Sequence, residues 1–198
     1  MSEFTLPLRA PDAGHTVLFK VEWGDGSTEV ISYDLTSYNN DPGTLLKHEY
    51  TIGTPAGGFV IKIYPPSGEK FGKYWGYPDG NSKGYADRTK LKEIKKWGCF
   101  EFNNLGYSFA GCSNLNISAT DTTANPAKPS FYPSSLDSAF KNCTSLNPVG
   151  ISAAAETAFN SFNTLAAVSM NHTFLGCTSF NTNINNWNVL SVTNFNST

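Results

Sequence analysis

The sequence has few charged residues, and they are unevenly distributed. Charged residues make up 15% of the chain, and the formal net charge is -2. Nine of the fourteen Lys and Arg lie between Lys62 and Lys96, whereas only Lys128 and Lys141 follow Trp97. A nucleic-acid partner requires a concentrated basic face. The charge pattern therefore argues against nucleic-acid binding.

Two kinds of targeting segment are missing from the sequence. The N-terminus has no basic region followed by an apolar run, so we expect no secretory signal. No stretch reaches the length of a transmembrane helix, so we expect no membrane insertion. These absences predict a protein that is not secreted, or one that reaches the outside by another route. Assembly into a virus particle inside the host cell is one such route.

Motifs of common enzymes and metal sites are also missing. The sequence contains no GxSxG and no HExxH, and His15, His48 and His172 lie in unrelated contexts. Its four cysteines form no CxxC pair and no Cys/His cluster with the spacing of a zinc site. We therefore predict a protein without enzymatic activity, cofactor or metal.

A pattern of apolar residues recurs through the second half of the chain. Copies 1 to 4 start at Leu105, Leu136, Met170 and Phe195, and each start is position 0 of its copy. The first three copies have apolar residues at positions 0, 4, 7 and 10 and an Asn at position 11. The predicted repeat core, which includes a Trp that precedes copy 4, consists of Leu105, Phe109, Cys112, Leu115, Leu136, Phe140, Cys143, Leu146, Met170, Phe174, Cys177, Phe180 and Trp187.

The spacing of these residues predicts how each copy folds. Positions 0, 4 and 7 share one face of a helix, so we expect a short helix followed by a turn or strand. A unit this short cannot bury its apolar face alone, so successive copies must stack and share a core. The second half is therefore predicted to be a solenoid. Its starts are 31, 34 and 25 residues apart, which predicts insertions in loops between copies.

A second apolar pair, which ends eight residues before a copy starts, supports the same register. Ile94 and Trp97 precede copy 1, Phe159 and Phe162 precede copy 3, and Ile184 and Trp187 precede copy 4. The equivalent slot before copy 2 falls on Lys128, so that copy is degenerate. Copy 4 contains only its opening residues. This leaves open a makeshift cap, packing on another chain as a homo-oligomer, or a piece of a longer protein.

The first 65 residues have the pattern of a small β-sandwich. Strands are predicted at 15–23, 28–32, 45–52 and 59–64, with the turn Gly24-Asp25-Gly26-Ser27 after the first. Residues 66–96, which are rich in Gly, Pro, Lys and aromatic residues, are predicted to be a loop-like linker. Within that linker and its end, 91–97 fits either a short helix or a first strand of the solenoid.

Both halves resemble known families. The motifs VEWGDGS, HEYT and GGFVIKI resemble the polycystic-kidney-disease (PKD) domain, an immunoglobulin-like sandwich. The second half, with the motifs F-x-G-C-x-x-L-N and I-x-x-W-x-V-x-x-V-T-N, resembles the BspA-like leucine-rich-repeat surface proteins. Asn142 departs from this pattern by replacing the Gly of the first motif. The residues in the hallmark positions of the PKD domain are Trp23, Gly24, Asp25, Gly26, His48, Tyr50, Gly58 and Phe59.

These observations predict a mainly β protein with three parts. An immunoglobulin-like, PKD-like β-sandwich covers residues 1–65, the linker covers 66–96, and a short leucine-rich-repeat-like solenoid with short helical turns and strands covers 97–198. The solenoid has about three copies and an incomplete fourth.

Candidate functional residues are few. The aromatic cluster in the linker presents flat rings with polar edges, which suit a sugar or a protein partner. The alternative is that these rings pack the sandwich against the first copy. His48 and Asp25 fit structural hydrogen bonds, Asp25 to its own turn. Cys112, Cys143 and Cys177 fit small buried apolar residues. The members of the aromatic cluster are Phe71, Tyr74, Trp75 and Tyr77.

Three function classes remain open. The first is a non-enzymatic structural or host-attachment protein on a virus or phage particle, a capsid decoration or fibre-like protein that contacts capsid or other virion subunits. It fits the absent signal, the seventeen Asn that follow Trp97 and the tandem resemblance. The second is a bacterial cell-surface adhesin that binds a host receptor or glycan. The third, favoured least, is an accessory module of a glycan-active enzyme.

Overall fold

Short strands make up the first part of the chain. The computed structural model describes residues 3–6, 8–9, 16–34, 47–64, 74–75, 83–98, 106–121, 133–147 and 152–198. The strands in the first part are β1 (Glu3–Thr5), β2 (Leu8–Arg9), β3 (Thr16–Glu22), β4 (Thr28–Asp34), β5 (Lys47–Glu49), β6 (Lys62–Tyr64) and β7 (Tyr74–Trp75).

The longest strands form a hairpin around the Gly-Asp-Gly-Ser turn. β3 pairs antiparallel with β4 along its whole length, and its other edge pairs with β6. Successive side chains of a strand point to opposite faces, so Phe19 and Val21 are buried while Leu18 and Lys20 are exposed. Gly24 has a φ of 86° and lies so close to Val60 that a Cβ would fall 2.8 Å from its carbonyl oxygen. The turn therefore requires glycine at this position.

The remaining strands form separate two-stranded sheets. β1 pairs with β5 and β2 pairs with β7, both antiparallel. The described sheets do not close into one sandwich. The prediction of a mainly β first part with these four strands is confirmed, although β1, β2 and β7 were not predicted. Their two or three residues give too little alternation for a sequence pattern.

A 3-10 helix, η1 (Lys83–Lys90), lies within the region predicted to be a loop. It fastens β1 through two side chains. The Asp87 carboxylate accepts a hydrogen bond from the Thr5 N–H at 2.7 Å, and the Lys90 ammonium donates to the Glu3 carbonyl at 2.9 Å. The loop prediction is therefore wrong for this segment, which is ordered by contacts with a strand some eighty residues earlier in the sequence.

The copies of the second half are linked by parallel pairing. β8 (Glu93–Ile94) pairs parallel with β9 (Asn116–Ile117), which decides for a strand in the 91–97 segment. Further on, Ser169 forms parallel bridges with both Ser135 and Asn194. Ser135, Ser169 and Asn194 each immediately precede the start of a copy. Equivalent residues of copies 2, 3 and 4 therefore lie side by side.

The predicted short helix at the start of each copy is wrong. Residues 106–112, 136–143 and 170–177 form a succession of turns, closed by hydrogen bonds from an N–H to the carbonyl three residues earlier. Position 2 is left-handed in all four copies, with φ between 50° and 58°, which interrupts a helix. The residues at this position are Tyr107, Ser138, His172 and Ser197.

Position 6 is also left-handed in each of the first three copies. It is Gly111, Asn142 and Gly176, with φ of 79°, 60° and 77°. Asn is among the non-glycine residues that adopt this conformation most readily. Copy 2 thus departs from the glycine of its neighbours in sequence while keeping the same backbone.

The left-handed residues turn alternate N–H groups toward the next copy. Nine hydrogen bonds of 2.7–3.0 Å join neighbouring copies, and in each an N–H at an even position donates to a carbonyl of the following copy. All nine point the same way along the stack. We call this set the inter-copy ladder; its donors are Tyr107, Phe109, Gly111, Leu136, Ser138, Phe140, Asn142, Met170 and His172.

A column of aromatic rings fills the core beside the ladder. The Phe109 and Phe140 rings stack with centroids 5.6 Å apart, and the Phe140 and Phe174 rings stack at 5.7 Å. Phe109 and Phe140 are buried, as are Leu115 and Leu146 at position 10. Leu105 lies outside the described residues. Equivalent side chains of consecutive copies thus share one continuous interior.

The variable spacing of the copies is explained partly by a helix. α1 (Ala153–Asn160) lies in the longest interval, between the starts of copies 2 and 3. The Ser152 side chain caps it by accepting a hydrogen bond from the Ala155 N–H. Its Phe159 ring packs against Phe140 and Trp187, at 5.7 and 5.6 Å between centroids. This insertion therefore adds to the shared core.

We predict that Phe140→Ala lowers the free energy of unfolding by about 3–5 kcal/mol, because it removes the middle ring of the column. The matched control is Leu190→Ala, since Leu190 is 91% exposed in copy 4 and its loss should change stability by less than about 0.5 kcal/mol. Urea unfolding followed by fluorescence measures both. Equal effects of the two substitutions would contradict a shared aromatic core.

Candidate functional site

The cysteine at position 7 of each copy lies in the stacked interior. The Cys143 thiol donates to the Phe109 carbonyl at 3.0 Å, and the Cys177 thiol donates to the Phe140 carbonyl at 2.8 Å. Burial raises the pKa of Cys112 to about 12 and that of Cys177 to about 11, and it raises the pKa of Cys143 as well. A nucleophilic cysteine requires a lowered pKa, so these thiols serve packing and backbone bonding.

The asparagine at position 11 also bonds between copies. The Asn116 Oδ1 accepts from the Asn147 N–H at 3.1 Å, and the Asn147 Oδ1 accepts from the Ile117 N–H at 3.1 Å. Asn147 is fully buried. Neutral amides thus satisfy buried backbone groups without a buried charge.

His48 is the centre of a polar cluster on the first part of the chain. Its Nε2 lies 2.9 Å from the Asp25 carboxylate, and its Nδ1 lies 3.1 Å from the Glu29 carboxylate. The ring stacks on Trp23 at 4.6 Å between centroids and meets the edge of Tyr50 at 4.7 Å. Both nitrogens therefore face carboxylates, and the ring joins three separate segments of the module.

Asp25 is held as a carboxylate by the same cluster. Its Oδ1 accepts hydrogen bonds from the Ser27 N–H at 2.9 Å and the Ser27 hydroxyl at 2.5 Å. These bonds from Ser27, followed by the one from His48, keep the pKa of Asp25 well below its ordinary value. The predicted bond of Asp25 to its own turn is confirmed. The predicted structural role of His48 is supported by its stacking and its buried position.

The Tyr50 hydroxyl ties this cluster to the sheet. It donates to the Trp23 carbonyl at 3.2 Å, and the Tyr50 ring stacks on Phe59 at 3.9 Å. Burial, and to a lesser extent the charge of Asp25, raises the pKa of Tyr50 to about 12. These groups hold the turn in place, and their geometry has the character of structural support.

The aromatic cluster of the linker is only partly described. Tyr74 and Trp75 form β7, whose backbone pairs with Leu8 and Arg9 of β2. This pairing attaches the segment to the N-terminal strands. Phe71 and Tyr77 lie outside the described residues, so the cluster stays a prediction.

Sequence reasoning missed a surface on the outside of copies 3 and 4. Leu165 and Leu190 both lie five residues before a copy start, and both are exposed. Each follows an identical local turn, in which the Leu N–H donates to the side chain of the Asn two residues earlier, Asn163 or Asn188. The repeated N-x-L sequence is the signal that would have found it. Val168 and Val189 add exposed apolar surface nearby in sequence.

The described part of the chain gives two further results. Among its residues, no group of three His, Cys, Asp or Glu is arranged to hold a metal ion. None of the helices found there has the length and apolar character needed to cross a bilayer.

Comparison with known proteins places the repeats in context. Residues 134–198 match the family described as "Mycoplasma protein of unknown function, DUF285". This match covers copies 2 to 4 and is consistent with the resemblance to BspA-like repeat surface proteins. No curated protein and no solved structure matches the chain.

We predict that Asp25→Asn lowers the melting temperature at pH 7 and that this difference shrinks in acid. A carboxyl whose pKa is lowered on folding stabilises the protein above its unfolded pKa, and this stability is lost as pH falls through the folded pKa. The ordinary value for Asp25 is 3.8, so the two melting curves should converge below about pH 4.

The matched control for this prediction is Glu49→Gln, because Glu49 has an exposed carboxylate on the neighbouring strand. Its melting temperature should follow that of the unsubstituted chain at every pH. A difference between Asp25→Asn and the unsubstituted chain that stays constant from pH 7 to pH 2 would contradict the account of this cluster.

We predict that Cys112, Cys143 and Cys177 resist alkylation in the native protein at pH 8. Their burial and raised pKa leave almost no accessible thiolate. Peptide mapping by mass spectrometry after a pulse of iodoacetamide measures each site separately. Labelling in urea is the control and should be complete. Rapid native labelling of Cys143 would refute the stacked interior.

Proposed function

We propose that the protein is a non-enzymatic recognition or structural protein whose stacked copies present an extended contact surface. The observation that carries this proposal is the continuous interior formed by the aromatic column and the inter-copy ladder. Such an interior is consumed in holding the stack together, and it leaves the outer side chains free to contact a partner. The raised pKa of the buried cysteines supports a role without nucleophilic chemistry.

The finer architecture belongs to the same proposal. The first module is a PKD-like, immunoglobulin-like sandwich, supported by the contacts among Trp23, Asp25, His48 and Tyr50. The copies form a leucine-rich-repeat-like solenoid, supported by the parallel bridges at Ser169. The parts divide as 1–65, 66–96 and 97–198, with η1 and β8 acting as the junction.

The partner meets a surface that is neutral and rich in amides. Exposed asparagines of copies 3 and 4 alternate with the exposed leucines Leu165 and Leu190. Individual contacts of this kind are weak, so binding gains strength from many molecules that act together. The aromatic cluster of Phe71, Tyr74, Trp75 and Tyr77 is a second proposed contact, or packs the two parts together.

We place the protein on the surface of a virus particle, where it contacts capsid or other virion subunits or a host receptor or glycan. The tandem resemblance and the charge-poor exterior support this location. The second candidate is a bacterial cell-surface adhesin. It is favoured by one observation, the match of copies 2 to 4 to a family described from Mycoplasma.

We predict that the chain is present, in a fixed stoichiometry to the major capsid protein, in particles purified by density gradient. Quantitative mass spectrometry of the gradient fractions measures this ratio. The control is a cytoplasmic host protein, whose amount should not follow the particle peak. Absence from particles, together with release from intact bacteria by surface shaving with protease, would overturn the virion location and support the adhesin.

A further inference from the structure

The edge of copy 4 presents the same hydrogen-bonding groups that join copies 3 and 4. In copy 3, the N–H groups of Met170 and His172 donate to carbonyls of copy 4 at 2.9 and 2.8 Å. The equivalent groups of copy 4 are the N–H groups of Phe195 and Ser197. Neither has a hydrogen-bond partner among the residues that the structure describes.

A side-chain acceptor belongs to the same set. The Asp137 carboxylate accepts from the Asn171 N–H at 2.8 Å, and the Asn171 Oδ1 accepts from the Asn196 N–H at 3.0 Å. Position 1 thus supplies one acceptor per copy for the next copy. The Asn196 Oδ1 is the next member of this series, and its described contact is with the neighbouring Ser197 hydroxyl at 3.3 Å.

The apolar side chain at position 0 shows the same incompleteness. Leu136 and Met170 at this position are each 3% exposed, whereas Phe195 is 46% exposed. A phenyl ring exposed to this degree gains free energy when apolar surface covers it. The edge formed by residues 194–198 therefore presents two donors, one acceptor and one ring in the arrangement of the interior.

The opposite end of the stack is covered. At Gly176, a Cβ would meet the Asn142 side chain of the preceding copy, whereas at Gly111 it would meet the Arg88 side chain at 2.8 Å. Arg88 thus occupies, at copy 1, the place that a preceding copy takes elsewhere. A second molecule of this chain therefore offers no open carbonyl edge of a first copy.

The polarity of the ladder excludes another arrangement. Two molecules that meet through their copy 4 edges would oppose N–H groups to N–H groups, because every bond of the ladder donates in the same direction. Unpaired buried donors cost about 1–3 kcal/mol each. A two-fold dimer through this edge is therefore unfavourable.

We propose that the edge formed by residues 194–198 binds a repeat unit of the same pattern, carried by a partner polypeptide, with its carbonyls on the N–H groups of Phe195 and Ser197. The unit stacks in the parallel direction, as copy 4 stacks on copy 3. This interface goes beyond the proposed function, because it requires neither a virus particle nor a cell surface.

The test supplies such a unit in tethered form. Thr198 and Thr173 hold the same position, so residues 174–198 appended after Thr198 continue the register. A tether replaces the partner's concentration by a high effective concentration. We expect the Phe195 and Ser197 amides to exchange with deuterium at least about ten-fold more slowly than in the 198-residue chain.

The control is the same extended chain with Ser197→Pro, which removes one donor and cannot adopt a positive φ. We expect it to fold through copy 3, as judged by slow exchange at Phe140, and to lose the added protection at Phe195. Unchanged exchange at Phe195 and Ser197 in the extended chain would overturn the proposal. So would a dimer of the 198-residue chain that Ser197→Pro abolishes in analytical ultracentrifugation.

Discussion

The inter-copy ladder is the constraint on which the second half of the molecule depends. Each bond contributes only about 1 kcal/mol net, but a buried N–H left without a partner costs about 1–3 kcal/mol. A copy placed one residue out of register would leave its whole row of donors unpaired. The left-handed residues at positions 2 and 6 matter for the same reason, since they aim alternate N–H groups at the neighbouring copy.

This constraint separates what the inside of the stack does from what the outside is free to do. The ladder, the aromatic column and the buried amide of Asn147 satisfy one another within the stack. The side chains on the outside carry no comparable duty, and there the chain places neutral amides and exposed leucines. A scaffold of this kind suits recognition by surface, because residues on the outside can change without disturbing the interior.

The apolar slots of the copies were predictable, whereas the backbone between them was not. Phe109, Phe140 and Phe174 recur at one position, and stacking follows because a unit so short has no core of its own. The same spacing fits a helix and a succession of turns equally well. The choice depends on positive φ at Tyr107, Ser138 and His172, residue types that carry no turn signature. Likewise β2 and β7 owe their pairing to residues distant in sequence. The capping Ser152, followed by three alanines, was a local signal for α1 that sequence reasoning did not use.

The most direct test of the central claim is amide hydrogen exchange of the native chain, resolved residue by residue by NMR. The account predicts strong protection of the Tyr107, Ser138 and His172 N–H groups, which lie in turns but donate to the next copy. Protection should fall together across all three when Phe140 is replaced by Ala. Exchange at these positions as fast as in an isolated peptide would contradict the ladder, and with it the stack.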